Sequence, residues 1–150
     1  MEARSASNAM LKGEGLVPAT DVLVHFAHWI TPANQPKRYD TQFFLATAPA
    51  DQLALHDGHE AVDSIWIRPC DALAGTEAGR FKLVFATQKN LEKLSRADSV
   101  RDALGKAASS RVVTVLPRGT RLEGTRRLLS IPSEAGYGGS GFIVDLPPAS

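Results

Sequence analysis

His56, Asp57, His59 and Glu60 crowd into one polar stretch of this 150-residue chain, and each offers an oxygen or an imidazole nitrogen that a divalent cation accepts. The same residues also make an ordinary solvated loop. His25 and His28 form a second group with ligating chemistry. Side chains on a strand alternate with period two, so residues three apart point to opposite faces and do not readily share an ion. The pair therefore reads as core packing or a pocket wall. Gly136-Tyr137-Gly138-Gly139-Ser140-Gly141 satisfies G-x-G-x-x-G, but a dinucleotide site needs a strand before the glycines and a long helix after them. Pro147 and Pro148 lie in the short stretch that follows, so the segment reads as a flexible tail. Ser140 stands in no G-x-S-x-G elbow and does not point to a serine hydrolase.

The elements that must position these residues follow from patterning. Val22 to Ile30 is apolar and β-branched, a strand that the Thr31 to Pro36 turn chemistry ends. Thr41 to Ala48 reads as a second strand at hairpin distance, and Pro49 to Asp63 as a loop. Ser64 to Arg68 alternates around Trp66 and predicts a third strand, with Phe81 to Phe85 a short extended piece. Thr87 is the predicted N-cap of a helix over Gln88 to Ser95, and Ser99 the cap of a second helix bearing Val100 and Leu104. Arg111 to Leu116 predicts a strand, Pro117 to Gly124 a turn, and Arg127 to Ile131 the returning hairpin partner. Strands, then helices, then strands give an α+β class. Residues 1–15 read as a flexible lead-in and 138–150 as a flexible Gly/Pro-rich tail. Trp29, Phe43, Phe44 and Trp66 read as core or pocket wall, since strand aromatics usually bury large apolar areas.

Seventeen basic against sixteen acidic residues, net charge +1, give no electrostatic footprint for nucleic acid or an anionic membrane. Any phosphate ligand is held locally. Cys70 is the single cysteine, which excludes an intramolecular disulfide and a cysteine-rich zinc site and makes the cytoplasm the default expectation. No run approaches the roughly 20 apolar residues that span a bilayer, and Met1 to Gly15 lacks the apolar run of a secretory signal.

Five separated segments resemble one family in the family's own order. They are Phe26 to Pro32 (Phe-Ala-His-Trp-Ile-Thr-Pro), Lys37 to Ala46, Asp57 to Ile67, Thr87 to Leu91, and Ile131 to Tyr137. Together they look like the C-terminal half of a Nudix hydrolase, in the bacterial subgroup similar to coenzyme A diphosphatases. The resemblance spans roughly residues 16–137 and implies a partial α/β/α sandwich with a mixed sheet, without the family's first strands and catalytic helix. That helix carries an Arg-Glu-x-x-Glu-Glu signature ahead of the Trp-Ile-Thr-Pro strand. No Arg-Glu or Glu-Glu pair occurs anywhere in this sequence.

The resemblance implies hydrolysis of a diphosphate bond in a nucleoside-diphosphate-linked substrate such as a coenzyme A derivative. Magnesium or manganese neutralises the diphosphate and activates water in such enzymes, held octahedrally by clustered glutamates. Without those carboxylates the chain is expected to be a truncated domain, inactive alone, or a non-catalytic phospholigand-binding or dimerisation module. Glu60 becomes the candidate catalytic residue, and Glu60 with Asp57 the candidate metal ligands. Arg38 becomes the candidate substrate residue, with a guanidinium suited to a bidentate phosphate contact; pairing with Asp40 or Asp63 is its structural alternative. Gln42 stands where relatives often carry a basic residue. An uncovered sheet edge and apolar face predict self-association.

Overall fold

Two small sheets and three helices make up the described chain, which covers residues 12–15, 17, 19–35, 37–49 and 64–145 of a computed structural model. The first sheet is mixed, in the order β2-β1-β3. Its centre, β1 (Val24–Ile30), pairs antiparallel with β2 (Asp40–Leu45) and parallel with the short β3 (Thr114–Val115). A register irregularity between His25 and Ala27 lets two successive residues, Phe26 and Ala27, both be buried. In β2 the alternation is regular: Thr41, Phe43 and Leu45 are half-buried, and Asp40, Gln42 and Phe44 are exposed. The strand expectations over Val22 to Ile30 and Thr41 to Ala48 thus hold, each with slightly shorter limits.

Three expectations are corrected. Residues 64–68 pair with no strand among the described residues; they lead into α1 (Pro69–Glu77). Arg68 is extended and Pro69 takes the first helical position, where its missing N–H costs nothing. The alternation around Trp66 therefore serves neither of the described sheets, and Ile65 and Trp66 stay 59% and 70% exposed. Helix α2 (Phe85–Leu94) starts ahead of Thr87, after an extended Val84 that provides no side-chain cap. Phe85 begins it because its ring packs on the core, and that contact outweighs the capping preference of Thr87. The hairpin partner of β5 (Arg126–Ser130) is β4 (Arg118–Arg121), inside the predicted turn. Pro117 ends β3 early by removing a ladder donor, and the turn is made further on, with Gly124 at φ 66.

Helix α3 (Val100–Ser109) follows expectation: the Ser99 hydroxyl accepts from the Asp102 amide at 3.1 Å. In the segment expected as tail, Gly141–Asp145 forms β6 and pairs antiparallel with β5. Gly136 and Gly138, at φ 78 and 79, supply the left-handed turns that bring it back. No helix follows those glycines in the described chain, which removes the setting a dinucleotide fingerprint needs.

The core joins the first sheet to α3 and to the Ile131–Tyr137 segment: Phe26, Ala27, Trp29, Ala107, Val115, Ile131, Ala135 and Tyr137 are all buried. Phe43 and Leu45 pack against it, as does Phe85. Phe44 instead lies half exposed, stacked on His25 with ring centroids 5.1 Å apart. Of the four aromatics expected inside, Trp29 and Phe43 are packed there, whereas Phe44 and Trp66 are not. The architecture is α+β.

Candidate functional site

The β1–β2 connection is closed by Thr31, whose amide donates to the Tyr39 carbonyl at 2.9 Å and whose hydroxyl accepts from the Tyr39 amide at 3.1 Å. Arg38 is exposed there, and its Nε donates to the Thr31 carbonyl at 3.3 Å. Among the described residues its terminal nitrogens have no hydrogen-bond partner. Of the two structural partners weighed for Arg38, Asp40 is taken by His28 at 2.6 Å and Asp63 lies outside the described residues. The other ring nitrogen of His28 meets the Thr114 hydroxyl at 2.8 Å. One imidazole thus ties all three strands of the mixed sheet, with His28 and Thr114 directly opposed in register. With Nε2 protonated it donates to the carboxylate and accepts from the hydroxyl. Gln42 is exposed opposite His28.

Glu60, Asp57, His56 and His59 lie outside the described residues. Among the described residues no group of three or more His, Cys, Asp or Glu side chains comes together to hold a metal ion. His25 and His28 have separate partners, Phe44 for one and Asp40 with Thr114 for the other.

Deeper in, a hydrogen-bond junction joins three elements. The Trp29 indole N–H on β1 donates to Asn90 Oδ1 on α2 at 3.2 Å and to the Tyr137 hydroxyl at 3.0 Å. Tyr137 in turn donates to Asn90 Oδ1 at 2.8 Å. The indole can only donate, so the amide must present its oxygen inward, and Asn90 Nδ2 is left buried without a partner among the described residues. Burial raises the Tyr137 phenol above its usual value, and the Trp29 hydrogen bond opposes that shift.

A charged cleft of about 350 Å³ lies between the end of α2, α3 and the Ser133–Ala135 turn. Lys93, Arg96, Lys106 and Arg111 line it, with Glu134 as the one carboxylate in the lining. Lys93 Nζ donates to the Ala135 carbonyl at 3.1 Å and sits 5.2 Å from the Phe26 ring centroid. Burial, and then the nearby Arg96 charge, hold the Lys93 ammonium below its usual range. A second cleft of about 480 Å³ runs from Leu45 past Arg68 and the exposed Cys70 to Asp98 and Ser99. Arg38 lines neither of these two clefts.

Fold and site together define a small α+β protein with a cation-rich cleft and a hydrogen-bonded aromatic core. No family model matches the chain, and no curated protein or solved structure is significantly similar to it. No described helix is long and apolar enough to cross a membrane.

Sequence reasoning singled out Arg38, which lines neither cleft, and missed Asn90 and the cation-rich cleft. Lys93, Arg96, Lys106 and Arg111 come from two helices and the segments after them, and no run of charge marks them. A legible signal existed for Asn90 alone: a polar residue on the apolar side of α2, next to Leu91 and Leu94.

Proposed function

We propose that this chain is the C-terminal part of a Nudix-type fold that binds a nucleoside-diphosphate-linked ligand such as a coenzyme A derivative and does not hydrolyse it alone. The observation that carries the reading is the Trp29–Asn90–Tyr137 junction. Each of its residues belongs to a different segment of the resemblance, Phe26 to Pro32, Thr87 to Leu91 and Ile131 to Tyr137. A fourth, Lys37 to Ala46, contains the strand that pairs with the first. Their meeting in one buried contact is what a shared ancestral core would give, and it supports the reading. Arg38 adds a guanidinium whose terminal nitrogens are unpartnered among the described residues, a fork that a diphosphate takes as two parallel hydrogen bonds.

Binding and hydrolysis are measured separately. Coenzyme A and ADP-ribose are titrated by calorimetry, and phosphate-containing products are followed with magnesium or manganese. The expected result is binding weakened by Arg38→Ala, with no turnover above background. Metal-dependent turnover at enzymatic rates, abolished by Glu60→Gln, overturns the inactivity. Absence of binding to either ligand overturns the ligand class.

One observation favours a second reading, a pairing module. Ile65, Trp66 and Ile67 are 59%, 70% and 37% exposed, and successive apolar side chains at that exposure suit contact with another copy of the chain. Sedimentation across a concentration series tests it: Trp66→Ser is expected to lower any self-association, and a monomer at all concentrations rejects it.

A further inference from the structure

A cation partly withdrawn from water and lacking a carboxylate leaves a positive potential that an anion relieves. Lys93, half-buried in the cleft beside α2 and α3, has this character, and the exposed Arg96, Lys106 and Arg111 add their charge at its mouth. Of the cleft's four cations, only Lys106 has a carboxylate within ion-pair distance among the described residues, Asp102 at 2.6 Å. Lys93 and Arg96 are steered into place by the Ala135 and Gly136 carbonyls, at 3.1 and 2.9 Å, which fix the groups without cancelling their charge. Arg111 makes no hydrogen bond or ion pair among the described residues. The structural explanation, cations capping helix C-termini, accounts for Lys93 and Lys106 in the last turns of their helices. It does not reach Arg96 or Arg111, which lie beyond those helices. Counting Glu134, Asp102 and about half a negative charge at each helix end, positive charge is still in excess.

The volume and the remaining walls narrow the ligand. About 350 Å³ exceeds what a bare phosphate fills and falls within the range of small-molecule pockets. Phe26, Leu94, Ala103 and Ala107 supply apolar wall beside the charges. We infer that the cleft binds a small phosphomonoester, its dianionic phosphate held by Lys93, Arg96 and Arg111 and its organic body against Phe26 and Leu94. The inference rests on the cleft's charge and shape, independently of the Nudix reading. A bound dianion also favours the charged ammonium, so occupancy raises the Lys93 pKa that burial lowers.

Calorimetric titration of the full chain, without divalent metal, compares AMP, adenosine and inorganic phosphate. AMP is expected to bind at least about tenfold more tightly than adenosine, which differs only by the phosphate, and more tightly than inorganic phosphate. Arg111→Gln is expected to weaken AMP about tenfold and Lys93→Gln further, while Arg118→Gln, on the exposed β4 outside the cleft lining, leaves it unchanged. Lys93 also holds the Ala135 carbonyl, so thermal melts accompany that variant; if it fails to fold, Arg111→Gln decides, because Arg111 holds no other group among the described residues. Equal affinity for AMP and adenosine, or no effect of Arg111→Gln, overturns the phosphate site. Inorganic phosphate binding as tightly as AMP overturns the ester assignment. Loss of AMP binding in Arg38→Ala moves the site to the β1–β2 connection and overturns the cleft.

Discussion

Tyr137→Phe isolates the junction that holds the mixed sheet to α2. Tyr137 is 3% exposed and Phe keeps its ring, so no cavity opens and the change registers as hydrogen bonds alone. Two are lost, the one accepted from Trp29 at 3.0 Å and the one donated to Asn90 at 2.8 Å. The Trp29 N–H is not orphaned, because Asn90 Oδ1 still accepts it at 3.2 Å. At about 0.5–1.5 kcal/mol net for each bond, the expected loss is about 1–3 kcal/mol, toward the lower end because the indole N–H is shared between two acceptors. For a chain of this length each kcal/mol moves the midpoint by roughly 2–4 °C. Urea unfolding followed by Trp fluorescence and circular dichroism reads the difference, with the midpoint shifted and the slope unchanged. A Tyr137→Phe protein as stable as the parent would show that the junction's hydrogen bonds are not a structural tie.

The same variant isolates a pH effect. Burial raises the folded-state pKa of Tyr137 above its usual 10, so below pH 10 the phenol is protonated in both states and contributes no slope. Above pH 10 the unfolded chain ionises first, and the stability advantage of the parent over Tyr137→Phe is expected to shrink as pH rises toward the folded-state pKa. Lys93, lowered by burial and by Arg96, has the opposite sign: its penalty is full below its folded-state pKa and is relieved as pH climbs toward 10.5. Unfolding at pH 9 and pH 11 for parent and Tyr137→Phe separates the two, and a difference that grows with pH contradicts the assignment. Two glycine substitutions should diverge. A Cβ at Gly75 would lie 2.5 Å from Phe81 Cε2, so Gly75→Ala is expected to destabilise by about 1–3 kcal/mol despite better helix propensity. Gly105 has nothing within 4 Å and sits exposed inside α3, so Gly105→Ala is expected to stabilise by about 0.4–1 kcal/mol, read from the same melts. Ser99→Ala removes the cap of α3 and should cost about 1 kcal/mol; an unchanged midpoint would mean that the helix start is held by packing.

Local chemistry explains which elements were legible in advance. The first hairpin could be read because alternation and the Thr31 to Pro36 turn act within a few residues, and the α3 start because Ser99 caps its own helix. Sequence also set the α+β order and the single cysteine, and it showed that no Arg-Glu-x-x-Glu-Glu signature is present. Tertiary packing decided the rest. Whether Ser64 to Arg68 becomes a strand depends on joining a sheet, and the segment belongs to neither of the described sheets and leads instead into the helix that starts at Pro69. Likewise, Arg111 to Leu116 follows β1, and β5 takes β4 and β6, because register and burial are settled between segments far apart in the chain. The cation-rich cleft is the clearest case. Balanced composition gives net +1, yet folding gathers Lys93, Arg96, Lys106 and Arg111 around one cavity, since charge density depends on distance in space and composition records none.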